Sequence, residues 1–148
     1  MAFSESFQII IQLFLAVILG GLIGLEREYR RKEAGLRTYS LVALGACLFT
    51  IISFQLFNSF FGQAGINFDP SRVIQAIAIG IGFIGAGVIF RQPSGTVGLT
   101  TAAGLWVAAA IGVAVGTKLY FLSFFGTFLA ILILAGLRLL EEKVFKKE

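Results

Sequence analysis

Residues 80–87 read Gly80-Ile81-Gly82-Phe83-Ile84-Gly85-Ala86-Gly87. The first six satisfy G-x-G-x-x-G, the glycine fingerprint of dinucleotide-binding folds. That fingerprint requires a strand before it, a helix opening at it, and an acidic residue about 20 positions on. Here the glycines lie inside one apolar run, and no Asp or Glu occurs over that distance after Gly85. A strand–turn–helix within such a run would leave backbone groups unsatisfied in lipid. The spacing fits a helix. At about 100° per residue, Ile74, Ile77, Ile81, Ile84 and Val88 share one arc. Gln75, Ala78, Gly82, Gly85 and Ala86 share a second, and Ala76, Gly80 and Gly87 a third. One bulky side and two small sides predict close helix neighbours on both small faces. This places the segment at the centre of a bundle or at a subunit interface.

The rest of the chain agrees with a membrane helix. Of 148 residues, 57% are hydrophobic and 14% charged, with 16 Phe and 18 Gly; the mean hydropathy is +0.92. Soluble domains carry about 25% charged residues. Five apolar segments, 7–25, 39–57, 73–90, 99–116 and 119–137, each approach the roughly 20 residues of one bilayer crossing. The fold expected is an all-α bundle of five transmembrane helices in a single domain. A re-entrant hairpin from segments three and four is the alternative; their lengths favour full crossings. The first segment lacks a basic leader and follows Glu5, unlike a signal peptide.

Charge sets the orientation. The first connection carries five Lys or Arg, the third carries Arg91, and the tail carries four; the second and fourth hold only Arg72 and Lys118. The positive-inside rule then puts the amino terminus outside and the carboxyl terminus in the cytoplasm. The net charge of +4 therefore reflects membrane orientation and not nucleic-acid binding. With no His, the commonest general base and metal ligand is missing. No paired carboxylates stand in for it, and the reading is of a non-enzyme without a cofactor. Cys47, the only cysteine, reads as a small packing residue.

A few polar groups need a reason. Asp69 suits a helix cap before Pro70. Arg72 sits in the first turn, where the dipole disfavours a cation. Asp69, Arg72 and Gln75 are expected to line an outer vestibule, with Asp69 the best candidate for a metal. On the inner side, Glu26 lies at the membrane boundary, where an unpaired carboxylate is costly; it is expected to pair with Arg37 or Arg91. Thr100 and Thr101 open segment four. Gly104, Ala108, Gly112 and Gly116 form a seam along it, and Gly20 and Gly24 repeat that spacing in segment one. Trp106 is expected between helices, and Gln12 and Gln55 in interhelical hydrogen bonds.

Four stretches in this order, GGLIGLERE (20–28), GLRTYSLVALGA (35–46), DPSRVIQAIAIGIGFIGAGVI (69–89) and GLTTAAGLWVAAAIGVAVG (98–116), resemble the MgtC/SapB family of bacterial inner-membrane proteins. The resemblance implies five membrane helices, a cytoplasmic carboxyl terminus and a link to adaptation to low Mg²⁺. It implies a regulatory role for family members, some virulence-associated, acting on partner membrane proteins such as the F-type ATP synthase. Carried over by motif, the functional positions are Glu26, Arg37, Asp69, Arg72, Gln75, Gly82, Gly85 and Thr101. Two departures stand out. Many members carry Asn where this chain has Thr100, and virulence-type members add a soluble C-terminal domain, whereas this chain stops about ten residues after its last apolar segment.

Two functions follow as expectations. One is a non-enzymatic regulator working through helix contacts, dimeric through the small faces of segments three or four. The other is a transporter or channel for Mg²⁺ or another small solute. Against the second, Mg²⁺ sites gather several oxygen ligands, and no carboxylate lies mid-membrane.

Overall fold

The computed structural model describes residues 3–62, 69–92 and 95–137. Among them are five helices: α1 (Phe3–Tyr29), α2 (Leu36–Phe60), α3 (Ser71–Gly87), α4 (Leu99–Gly116) and α5 (Tyr120–Ile131), the last continued by a π-helical turn, Leu132–Leu137. The chain has only two prolines. Pro70 directly precedes α3, where a missing N–H costs nothing. Four helical spans are long and apolar enough to cross a membrane; α3, with 17 residues, is shorter. The molecule is an all-α, multi-pass membrane protein.

The core lies where α1, α2 and α4 meet. Ala16, Leu19 and Ile23 of α1, Tyr39, Ala43 and Cys47 of α2, and Leu105, Ala108 and Val115 of α4 are all buried. Small residues allow this because apolar side chains gain little from leaving lipid, so backbone approach supplies the contact. A Cβ added at Gly20 would stand 2.6 Å from both the Ala43 Cβ and the Tyr39 carbonyl oxygen. One added at Gly24 would stand 2.7 Å from the Leu36 Cα, and one at Gly116 2.8 Å from the Thr50 Cβ. At Gly112 it would run into the Ala43 carbonyl, and at Gly104 into the Tyr39 hydroxyl. The Tyr39–Ala43–Cys47–Thr50 face of α2 is thus wedged between the glycines of α1 and those of α4. The seam expected on α4 is therefore used within the chain, against α2.

Of the two places expected for α3, the centre of a bundle or a subunit interface, the first is not the one it takes. It lies at the edge of the bundle, not at its centre. Only Ile81 and Gly85 are buried in it, and a Cβ on Gly85 would rest 3.4 Å from the Ala102 Cβ of α4. Gly80, Gly82 and Gly87 have open space where a Cβ would be. The helix nevertheless runs the depth of the bundle. Ser53, near the end of α2, donates to the Pro70 carbonyl at 3.4 Å, while Val88 lies against Gly98 at the start of α4.

Two other expectations change. Trp106 is 53% exposed on the outside of α4 rather than packed between helices. The third connection is a hairpin: β1 (Phe90–Gln92) pairs antiparallel with β2 (Gly95–Val97), Phe90 opposite Val97 and Arg91 opposite Thr96. Three-residue strands give too short an alternation to recognise. Gly98 closes this hairpin onto α4 at φ 89°, and any Cβ there would strike the Val88 carbonyl. Both the left-handed backbone and the contact therefore require glycine. The hairpin and the basic first connection sit at one end of the bundle. The basic tail, residues 138–148, and the Arg91 side chain lie outside the described residues.

Candidate functional site: a buried charge cluster at the basic end

Gln12, Ala16, Leu19, Ile23 and Arg27 follow one another down the buried face of α1. Their steps of three and four residues are those of one helical stripe. The stripe begins with an amide and ends with a cation, and both ends are wrapped in polar contacts.

At the basic end Arg27 is 4% exposed. Its Nη2 donates to the Thr101 hydroxyl of α4 at 3.3 Å, and its Nη1 donates to Glu26 Oε2 at 3.4 Å. Thr101 in turn donates to Glu33 Oε2 at 2.7 Å. The Tyr39 hydroxyl, fully buried, donates to the Thr101 backbone carbonyl at 3.0 Å. One threonine in the first turn of α4 thereby ties together α1, α2 and the connection between them. That connection is closed a second time, where the Leu36 N–H donates to Glu28 Oε2 at 3.0 Å.

Glu26 is held by Arg27 and by Arg30, whose Nε lies 3.7 Å away; the expected partner Arg37 is exposed and forms no ion pair with it among the described residues. The second pair has ion-pair distance without hydrogen-bond geometry. Among the described residues, Glu26 Oε1, Arg27 Nε and Arg30 Nε are buried without a hydrogen-bond partner. Charges so placed are costly to desolvate and are retained only where the neighbours hold them tightly. The hydrogen bond from Thr101, followed by one from the backbone, holds the Glu33 carboxyl below its usual range. The cluster contains no nucleophile–base pair. Its chemistry is that of a clasp that joins three helices through ionised groups.

At the other end, Gln12 Nε2 donates to the Val115 and Gly116 carbonyls at 2.8 and 3.2 Å. These are last-turn carbonyls of α4, where intrahelical donors run out; that of Val115 also accepts the Lys118 N–H at 3.0 Å. A polar cleft of about 240 Å³ opens there between Gln8, Gln12, Gln55, Asn58 and Lys118. Asp69, Arg72 and Gln75 are not part of it. Asp69 Oδ1 accepts the Ser71 N–H at 2.9 Å, and hydrogen bonding from the Ser71 side chain, followed by that from its backbone, keeps the carboxyl below the ordinary range. Arg72 and Gln75 are exposed on α3. Among the described residues no three His, Cys, Asp or Glu gather as a metal site. Thr100 is exposed beside Thr101.

The sequence reading singled out Glu26 and Thr101 but passed over Arg27, Glu33 and Tyr39. The signal for Arg27 was available: it lies four residues beyond Ile23 and eight beyond Leu19, on the apolar stripe.

A family model described as the MgtC family matches residues 13–143. "Putative magnesium transporter YhiD" of Escherichia coli K12 is 41% identical over 140 residues, covering 95% of this chain and 65% of the relative. Protein SrpB of Synechococcus elongatus is 40% identical over 140 residues, covering 88% of this chain and 75% of the relative. Protein MgtC of Brucella abortus is 46% identical over 104 residues, covering 70% of this chain and 40% of the relative. The chain thus spans less than two thirds of the length of YhiD and of the Brucella protein. No solved structure matches it. A membrane bundle bearing these motifs, matched from its first helix into its tail, belongs to the MgtC family.

Proposed function

We propose that this chain is a non-enzymatic regulator in the bacterial inner membrane, linked to magnesium homeostasis and acting through contacts with other membrane helices. Its amino terminus faces outward and its carboxyl terminus the cytoplasm, as the placement of Lys and Arg indicates. The observation that carries this reading is the outward face of α3. Gln75, Ala78, Gly82 and Ala86 recur there at three- and four-residue steps, all exposed, with Ile79 and Phe83 beside them at 70% and 84% exposure. A small-residue stripe with a polar amide is the surface a membrane helix offers to another. A second copy of this chain and a partner such as the F-type ATP synthase are the occupants proposed for that face. The Mg²⁺ link rests on family membership and on the name of the E. coli relative.

A second reading, transport of Mg²⁺ or another small solute, is favoured by the polar cleft beside Gln12. Mg²⁺ flux into proteoliposomes of the pure protein separates the two. The regulator reading expects no flux above empty vesicles, together with a membrane protein that copurifies with the chain and is lost in Gly82→Leu. Reproducible flux abolished by Gln12→Leu would establish the transporter instead.

A further inference from the structure

α2 and α3 touch little and splay apart, leaving a groove of about 650 Å³ that opens toward the lipid. Its walls are apolar from Leu41 and Gly45 on α2 to Ile77, Gly80 and Ile84 on α3; its polar groups, Arg37 and Thr38, stand together at one end. Gly45 and Gly80 have empty space where a Cβ would be, so the groove's breadth is set by two missing side chains. Arg37 is exposed and forms no ion pair among the described residues. The nearby Glu28 carboxylate is engaged by the Leu36 N–H.

The groove's apolar length and the cation at its mouth point to the occupant. The lining runs from Arg37 to Phe49 on α2 and from Val73 to Ile84 on α3, about 17 Å at 1.5 Å per residue. With a volume of about 650 Å³, a groove of that length has room for an extended hydrocarbon chain. α2 has 25 residues, about 37 Å, against a hydrocarbon core of about 30 Å, so its first turn reaches headgroup depth. A cation there, at the mouth of an apolar slot and on the basic end of the molecule, meets an anionic headgroup.

We propose that the α2–α3 groove is a binding site for one anionic phospholipid, its acyl chain lying along Gly45 and Gly80 and its phosphate on Arg37. The site is separate from the outward face of α3, which points away from the groove.

The test uses the full chain in nanodiscs of phosphatidylcholine with a minor fraction of phosphatidylglycerol, read by native mass spectrometry of retained lipid. The wild type retains one phosphatidylglycerol per chain, enriched about fivefold over phosphatidylcholine, the factor expected for one cation near an anionic surface. Arg37→Gln removes the enrichment and leaves total retained lipid unchanged. Gly80→Leu and Gly45→Leu, both better helix formers than glycine, lower retention of both lipids while the thermal unfolding of the protein stays within a few degrees of wild type. Gly82→Leu, on the other face, changes neither. Equal retention of the two lipids overturns the proposal, as does phosphatidylglycerol retention that survives in all the groove variants. So does an efficient disulfide between two copies of Gly80→Cys in a Cys47→Ala background, since a second chain would then occupy the groove.

Discussion

α3 and α4 have similar glycine-rich sequences and opposite surroundings. In α4, Gly104, Gly112 and Gly116 are pressed against α2 so closely that an added Cβ would collide with Tyr39, Ala43 or Thr50. In α3, Gly80, Gly82 and Gly87 face nothing within 4 Å. The contrast shows that a glycine's spacing announces a possible contact, while the partner across from it decides whether the contact is made. α4 is locked into the core, and α3 keeps its small faces free for lipid and for other chains.

Changes to the locked region should cost stability, and changes to the free one should not. The largest effect is expected for Arg27→Ala, which leaves Glu26 buried beside Arg30 alone and costs about 3–5 kcal/mol, measured by denaturant titration in detergent. The double variant Arg27→Met with Glu26→Leu should recover much of that loss, because no charge is then left unpaired. A double variant as unstable as the single one would show that the ion pair is not the source. Gly112→Leu comes next, at about 1–3 kcal/mol from overpacking against the Ala43 backbone. Tyr39→Phe should cost about 1 kcal/mol through the lost bond to the Thr101 carbonyl. Gly82→Leu should stay within about 0.5 kcal/mol of wild type while losing the copurifying partner. Equal costs for Gly112→Leu and Gly82→Leu would erase the distinction between the two helices.

The smallest effect concerns pH and belongs to the clasp. Glu33 has a lowered pKa, so its contact with Thr101 is fully present at neutral pH and is lost as pH falls through that lowered value, below 4.5. Hydrogen exchange of the 31–35 connection should accelerate in that acidic window for the wild type. In Glu33→Gln the acceleration with pH should disappear.

Much of this was legible in advance. The five apolar segments, the Gln12 bond across to α4 and the burial of Cys47 follow from hydropathy and from the need to satisfy polar groups in lipid. Thr101 was singled out from its place at the start of a helix. Among the described residues Glu26 pairs one residue and one turn away, with Arg27 and Arg30, and not with Arg37; the side chain of Arg91, the other expected partner, lies outside the described residues. Tyr39 escaped notice because a tyrosine at a helix start resembles an interfacial anchor until the threonine across from it is known. The hairpin at residues 90–97 was hidden by its length.

Taken alone, the sequence determined that the chain is a membrane bundle of five helices, which of its connections are basic, and which family it belongs to. These are properties of composition, local length and order, and they need no knowledge of what touches what. Only the tertiary structure decided that α4 is the packed glycine helix and α3 the open one. It also brought Arg27 beneath Thr101 and left a groove between α2 and α3 with Arg37 at its mouth. The physical reason is common to all three: helical periodicity places a residue on a face, but the atoms that meet that face come from distant parts of the chain.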